Sequence, residues 1–133
     1  MNTEHYTRSE EYAKLAQEVI SVHEDLLWIK NNVRIDFLES TEAKMIKDKT
    51  VFGECKLVKE IYQVYVPYDF LIIIYMPNVS LFTDEQKRIL LYHELLHVDF
   101  KEDKNGSIDF CVRPHDIEDF KTIINNYGLD WQE

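Results

Sequence analysis

The sequence predicts an α+β fold, in which a short β-sheet packs against an N-terminal helix and a second, buried helix, with a further helix at the C-terminus. Two observations lead to this prediction. Apolar residues recur at helical spacing near the N-terminus and again over residues 84–100, whereas three stretches between them alternate with period two or are continuously apolar. The 133-residue chain contains no linker and no repeat, so residues 1–133 are expected to form a single domain.

The first helix is predicted from about Ser9 to Lys30, because apolar side chains recur there every three or four residues. Ser9 is a suitable N-cap, and the two glutamates that follow it favour the positive end of the helix dipole. Three strands are expected next, at residues 33–37, 51–58 and 69–76. Gly53 interrupts the second strand, whereas the third is continuously apolar and is therefore predicted to be buried.

The second helix has the clearest start signal in the chain. Thr83 and Gln86 have the spacing of a capping box, in which each side chain bonds the backbone N–H of the other residue. Apolar residues then occupy every side of the helix from Ile89 to Phe100. A helix that is apolar all round is buried all round, so this helix is predicted to run through Phe100 in the core.

The last third of the chain is predicted to be a loop followed by a helix. Residues 101–113 are rich in turn formers and are expected to be exposed, with a short extended piece at residues 108–112. The final helix is predicted over residues 116–127, where Asp116 is a good N-cap and Gly128 ends the helix.

Charge and composition exclude several classes of function. The chain has 15 Lys and Arg against 25 Asp and Glu, a net charge of −10, which disfavours nucleic acids and anionic membranes as partners and favours a basic target. The two cysteines fit no zinc-ribbon or redox spacing, and the polar N-terminus does not resemble a signal peptide. The longest apolar run, residues 70–76, is too short to cross a bilayer. A cytoplasmic protein is therefore expected.

The second helix carries the HExxH pattern as His93-Glu94-Leu95-Leu96-His97. On a helix, positions i and i+4 project from one face, so His93 and His97 are predicted to bind one metal ion. Glu94 is rotated by about 100° from His93 and is predicted to act as the general base on the water at the open position of the metal. The alternative is a pair of core histidines beside a buried acid, which would leave several polar groups in need of partners.

A catalytic zinc site has three protein ligands and one open position, so a third ligand must come from elsewhere in the chain. The favoured candidate is His115, eighteen residues after His97 and at the start of the last predicted helix. Glu118 is the rival, since a glutamate on a following helix can complete such a site. Tyr75, Tyr92 and Tyr127 are all candidates for stabilising an oxyanion.

These motifs resemble those of the phage metallopeptidase family. The shared features are a strand that enters an HELLH helix, a His-Asp helix start at His115 and Asp116, and a Gly-x-x-Trp end at Gly128 and Trp131. The resemblance implies a minimal zincin-like fold with a short sheet packed on the metal-bearing helix. It also implies one zinc ion per chain, held by His93, His97 and His115, with Glu94 as the catalytic residue. It implies action inside the bacterial host of a phage or prophage.

The leading functional prediction is a zinc-dependent peptidase, which hydrolyses peptide bonds of a peptide or protein substrate through a zinc-bound water activated by Glu94. An edge strand, at residues 51–58 or 33–37, could pair with an extended substrate. One alternative is a non-catalytic phage protein that binds a host factor and uses zinc only to staple its fold. Another is a zinc hydrolase acting on a non-peptide amide or ester.

Overall fold

The chain forms a four-stranded sheet against which helices pack, and the computed structural model describes residues 5–114. The strands and helices in chain order are β1 (Tyr6–Arg8), α1 (Glu10–Val22), a 3₁₀ segment (Glu24–Ile29), β2 (Ile35–Ser40), β3 (Met45–Ile46), β4 (Lys49–Thr50), β5 (Gly53–Leu57), a 3₁₀ segment (Glu60–Val64), β6 (Phe70–Tyr75), α2 (Met76–Val79), α3 (Asp84–Leu95), β7 (Val98–Glu102) and β8 (Ile108–Val112). The predicted α+β class is confirmed. The predicted C-terminal helix over residues 116–127 lies outside the described residues.

The main sheet has the strand order β1-β2-β6-β5. Strand β6 lies inside the sheet, parallel to β2 and antiparallel to β5, which explains why its sequence is a continuous apolar run. Strand β5 is an edge of this sheet, which agrees with the edge predicted at residues 51–58. The other predicted edge, at residues 33–37, lies just before residues 38–40 of β2, with which β1 pairs. Three residues are too few for a period-two pattern, so β1 was not detectable in the sequence.

Helix α1 begins at the predicted cap but ends earlier than predicted. The Ser9 side chain accepts a hydrogen bond from the Tyr12 backbone N–H at 3.1 Å. The helix predicted to reach Lys30 ends at Val22, because His23 adopts an extended backbone and a 3₁₀ segment follows it. The His23 ring stacks on Tyr92 of α3 with ring centroids 3.9 Å apart, and this contact accompanies the change in chain direction.

The core lies between the sheet and the two long helices. Helix α1 buries Tyr12, Ala16 and Val19, and α3 buries six of its twelve residues. The apolar side chains of β6 complete this core, with Phe70 and Ile74 fully buried. Within the described residues, none of the helices has the length and apolar character needed to cross a bilayer.

The prediction that α3 runs through Phe100 is wrong, because the helix ends at Leu95. Residues 98–102 form β7, which pairs in antiparallel register with β8 and thereby turns the predicted loop into a hairpin. The extended piece expected at residues 108–112 is confirmed as β8. Cross-strand pairing accounts for the difference, since an apolar run gives little local preference between helix and strand until a partner strand is present.

Candidate active site

Helix α3 positions the central residues of the HExxH motif. The predicted capping box is present, with the Gln86 backbone N–H donating to Thr83 Oγ1 at 3.2 Å and the Thr83 N–H donating to Gln86 Oε1 at 2.9 Å. This cap fixes where the helix begins, and the helix then carries His93 and Glu94 in its last turn. His97 lies two residues beyond the last helical residue, next to the start of β7.

His93 and His97 lie side by side although His97 is outside the helix. Their ring centroids are 5.4 Å apart and the ring planes are inclined by 56°. The backbone of Leu96 remains helical, and its N–H still bonds to the Tyr92 carbonyl at 3.0 Å. The i and i+4 spacing therefore still places the two rings together.

The His97 ring is oriented by the hairpin that follows it. Its Nδ1 lies 2.6 Å from the Arg113 carbonyl oxygen, and the Arg113 N–H donates to the His97 carbonyl at 2.7 Å. A carbonyl can only accept, so Nδ1 carries a proton, and in the neutral imidazole Nε2 then carries the lone pair. A hydrogen bond of this kind behind a metal-binding histidine fixes its tautomer and its direction. Imidazole nitrogens are donors that zinc takes, so the chemistry of this pair fits a zinc ion.

Glu94 is a buried acid directly beside this pair, with 4% of its surface exposed. Burial, together with the negative charge of Glu54, raises the pKa of Glu94 to about 8. A carboxyl group with that pKa exchanges a proton near neutral pH, whereas an ordinary glutamate is ionised there. A bound cation would favour the carboxylate and bring this pKa down again.

Gly53 allows strand β5 to approach Glu94 closely. A Cβ atom at this position would lie 3.4 Å from Glu94 Cγ and 3.2 Å from the Ile73 carbonyl oxygen. Glycine in a strand often marks such a close approach. The residue that weakened the strand prediction is thus the residue that gives the glutamate its space.

Glu54 follows Gly53 and links the site to the sheet. Its carboxylate accepts a hydrogen bond from the Tyr75 hydroxyl at 2.5 Å and forms an ion pair with Lys44. Burial acts to raise the pKa of Glu54, but the hydrogen bonds and charges of these partners hold it below its ordinary value. Glu54 therefore contributes a fixed negative charge near Glu94, and sequence analysis did not single it out.

The structure separates two of the three tyrosines considered for an oxyanion role. The Tyr92 hydroxyl donates to Asp25 at 2.7 Å, on the side of α3 that faces the 3₁₀ segment after α1. The Tyr75 hydroxyl donates to Glu54, which itself lines the cleft beside Glu94. Tyr127 lies outside the described residues.

A cleft of about 660 Å³ contains these groups. Residues from β5, α3, the β3–β4 hairpin and the end of β8 line it together. The members of the motif that line it are His93, Glu94 and His97, and Gly53, Glu54 and Cys55 of the edge strand lie beside them. Both imidazoles, the glutamate and a strand edge therefore open into one space.

Within residues 5–114, the side chains of His, Cys, Asp and Glu nowhere form a group of three or more that could hold a metal. A catalytic zinc requires three protein ligands, and His93 and His97 would supply two of them. Both candidates for the third ligand, His115 and Glu118, lie outside the described residues. The pocket nevertheless extends along Arg113 and Pro114, the residues directly before His115.

Comparison with known proteins gives one finding about the family. No curated protein and no solved structure matches the chain. A family model described as "Putative phage metallopeptidase" matches residues 4–133. Because this match spans almost the entire sequence and agrees with the resemblance of the HELLH and Gly-x-x-Trp motifs, the chain belongs to the phage metallopeptidase family.

Proposed function

We propose that this protein is a zinc-dependent peptidase with a minimal zincin-like fold. The observation that carries the proposal is the buried Glu94 carboxyl group beside the paired rings of His93 and His97 in one cleft. Two imidazoles and an acid of raised pKa are the groups that metal-assisted hydrolysis requires. The family name agrees with a peptidase that acts on peptides or proteins.

His93, His97 and His115 are proposed to hold one zinc ion per chain, with Glu118 as the rival third ligand. His97 is oriented for this role by the Arg113 carbonyl, which fixes the proton on Nδ1. When bound, zinc would supply a Lewis acid that polarises the peptide carbonyl and acidifies water.

Glu94 is proposed to be the catalytic base and acid. Its carboxylate takes a proton from the attacking water and later delivers that proton to the leaving amine. The buried position of Glu94 next to Gly53 holds the carboxyl group at one place while the proton moves. Glu54, which accepts a hydrogen bond from the Tyr75 hydroxyl, adds a negative charge that raises the pKa of Glu94.

The substrate is proposed to bind as an extended chain along β5. This strand is an edge of the four-stranded sheet, and its residues 53–55 line the cleft beside Glu94. An edge strand offers backbone N–H and C=O groups to a peptide, so pairing would hold the scissile bond near the glutamate. We also propose that the protein acts in the cytoplasm of a phage-infected bacterial cell, and the word phage in the family name supports the infected cell as its setting.

Peptide hydrolysis by the wild-type protein and two variants tests this function. The wild-type protein is incubated with a mixed peptide library and zinc, and the products are identified by mass spectrometry. His97→Ala should abolish cleavage, and a chelator should do the same to the wild type. His5→Ala is the matched control, because it removes a histidine at the opposite end of the described chain and should leave cleavage unchanged.

A folded wild type that binds zinc but cleaves no peptide would contradict the peptidase proposal. If zinc were then lost in His97→Ala together with thermal stability, the protein would be the zinc-stapled binding protein that the sequence also allows. If the wild type instead cleaved only simple esters, the protein would be a hydrolase of a different substrate class.

A further inference from the structure

The lining of the cleft is richer in cations than the protein as a whole. The chain has a net charge of −10, yet three of the residues that line the cleft are the cations Lys47, Lys49 and Arg113. Two carboxylates, Glu54 and Glu94, share the same cleft. Local charge at the mouth of a cleft decides which ligand groups can settle there, whatever the net charge of the protein.

The two lysines are held at this place by a tight hairpin. Lys47 and Asp48 connect β3 to β4, and both adopt left-handed backbone conformations, with φ of 51° and 64°. A two-residue turn with two positive φ values matches the twist of a hairpin, but it favours Asn and Gly over lysine. A lysine in this conformation is strained, and such strain is found at functional sites more often than elsewhere.

Asn78 fixes the base of the same hairpin. Its side-chain amide donates to the Lys44 carbonyl at 3.0 Å and to the Val51 carbonyl at 2.8 Å. The Val51 N–H also donates to the Lys44 carbonyl at 3.1 Å. These hydrogen bonds attach the hairpin to the short helix α2 after β6, and the tip of the hairpin lines the cleft.

The cations of the cleft differ in what neutralises them. Arg113 is paired with Asp99 at 3.3 Å, and Lys44 behind the cleft is paired with Glu54. Among the described residues, no ion pair involves Lys47 or Lys49, and both side chains are exposed. These two positive charges are therefore available to a ligand that enters the cleft.

We propose that Lys47 and Lys49 are specificity-determining residues that select peptides carrying acidic side chains near the scissile bond. This inference rests on the proposed peptidase function. Lys49 lies four positions before Gly53, so at most about 14 Å of chain lies between them. An extended peptide covers that distance in about four residues. The acidic side chains should therefore lie within about four positions of the bond that is cleaved.

The selected ligand is an acidic peptide and not a nucleic acid. A nucleic acid presents a phosphate at every nucleotide, and a protein with a net charge of −10 repels such a chain outside the small basic area. A peptide with a few carboxylates needs only local neutralisation. The inference also reverses the expectation, drawn from net charge alone, that the target is basic.

A binding experiment tests the lysines without requiring activity. Three fluorescein-labelled ten-residue peptides differ only at four positions, which are all Glu, all Gln or all Lys. Each peptide is titrated with Glu94→Gln protein, because this variant should not consume the peptide during the measurement. The acidic peptide should bind most tightly. Adding Lys47→Ala and Lys49→Ala should weaken its binding by about two- to fivefold for each lysine and should reduce the salt dependence.

The matched control adds Lys14→Ala and Lys30→Ala, which remove the same charge from exposed positions outside the cleft and should change binding less than twofold. Equal binding of the three peptides, no detectable binding of the acidic peptide, or equal losses in both double variants would overturn the inference. Tighter binding of a ten-nucleotide single-stranded DNA than of the acidic peptide would overturn it as well.

A cleavage experiment separates this inference from the proposed function. Wild-type protein with zinc is given a mixed peptide library, and the residues around each cleaved bond are counted. Enrichment of Asp and Glu that disappears in Lys47→Ala/Lys49→Ala supports the inference. Cleavage without such enrichment overturns the inference but leaves the peptidase intact. Absence of cleavage overturns the peptidase, and the binding experiment then decides the role of the lysines.

Discussion

Asp69 and Glu94 are both buried carboxyl groups, with 6% and 4% of their surfaces exposed, but their surroundings differ. Asp69 precedes β6 and accepts hydrogen bonds from the Arg34 backbone N–H at 2.8 Å and from its guanidinium at 3.0 Å. Glu94 has no ion pair to any described cation, and its nearest charged influence is another carboxylate, Glu54. Asp69 is therefore tied to Arg34 and joins the segments that lead into β2 and β6, whereas the pKa of Glu94 is raised to about 8.

This difference shows that burial of an acid does not by itself indicate function. A buried carboxylate that is fully paired contributes to the fold, and one that is left without a cation raises the free energy of the ionised folded state. Such a position persists where a ligand or a reaction uses it. The comparison gives four predictions, each of which should affect one acid and spare the other.

The largest expected effect is on activity. Glu94→Gln keeps the size of the side chain but removes the base, so kcat/KM for peptide cleavage should fall by about 10²- to 10⁴-fold. Asp69→Asn should change kcat/KM less than threefold for the folded fraction, because Asp69 does not line the cleft. Both rates are measured by product formation at equal concentrations of folded protein. Equal losses in the two variants would contradict the separate roles.

The next effect is on stability, and here the substitution of Asp69 should have a larger effect than the substitution of Glu94. Asp69→Ala leaves the Arg34 backbone N–H without its partner and should lower the free energy of unfolding by about 2–3 kcal/mol. Glu94→Gln should leave the stability of metal-free protein unchanged or raise it. Urea denaturation followed by circular dichroism measures both. Glu18→Ala, which removes an exposed ion pair to Arg88, is the control and should cost less than about 1 kcal/mol.

The third effect is the pH dependence of stability in chelator-treated protein. The pKa of Glu94 is raised from its ordinary value of 4.5 to about 8 in the folded state, so the folded state binds the extra proton between these values. The contribution of Glu94 to the free energy of unfolding is therefore complete below pH 4.5 and is lost as the pH rises through about 8. The titratable groups near it among the described residues include His93, His97, Glu54, Cys55 and Tyr75.

When the pH is raised from 5 to 8.5, the free energy of unfolding of the wild-type protein should consequently fall by on the order of 3 kcal/mol more than that of Glu94→Gln. Thermal unfolding at a series of pH values checks this, because Gln does not titrate and both proteins share every other group. Parallel curves for the two proteins would contradict a raised pKa at Glu94.

The smallest expected effect comes from Gly53→Ala. The added Cβ would meet the Ile73 carbonyl oxygen at 3.2 Å and Glu94 Cγ at 3.4 Å, so either the strand or the glutamate must shift by a few tenths of an ångström. We expect kcat/KM to fall by about three- to tenfold, with a cost in stability of about 1 kcal/mol. An unchanged rate with lowered stability would show that the strand, and not the glutamate, gives way.

Local signals in the sequence predicted much of the secondary structure around the site. The capping box at Thr83, the cap at Ser9 and the apolar run of β6 each depend on residues close together in the chain, and all three are found in the structure. These features follow from hydrogen bonds and burial patterns that operate over a few residues, so a single sequence is sufficient to find them.

The features that were predicted wrongly depend on distant partners. The end of α3 at Leu95 follows from the pairing of β7 with β8, and the end of α1 at Val22 accompanies the stacking of His23 on a residue of α3. The sequence did not predict Glu54 as a residue of the site, because its effect on the pKa of Glu94 arises only when β5 lies against α3. Gly53 was the one available signal, since glycine inside a strand often marks such a close contact.

The central claim, that His93 and His97 belong to a zinc site, is tested most directly by metal content. Protein purified without added metal is analysed by elemental mass spectrometry, together with His97→Ala and with His5→Ala as a control. We expect about one zinc per chain in the wild type and in His5→Ala, and almost none in His97→Ala. Folded wild-type protein that contains no zinc, and takes up none when zinc is supplied, would contradict the claim.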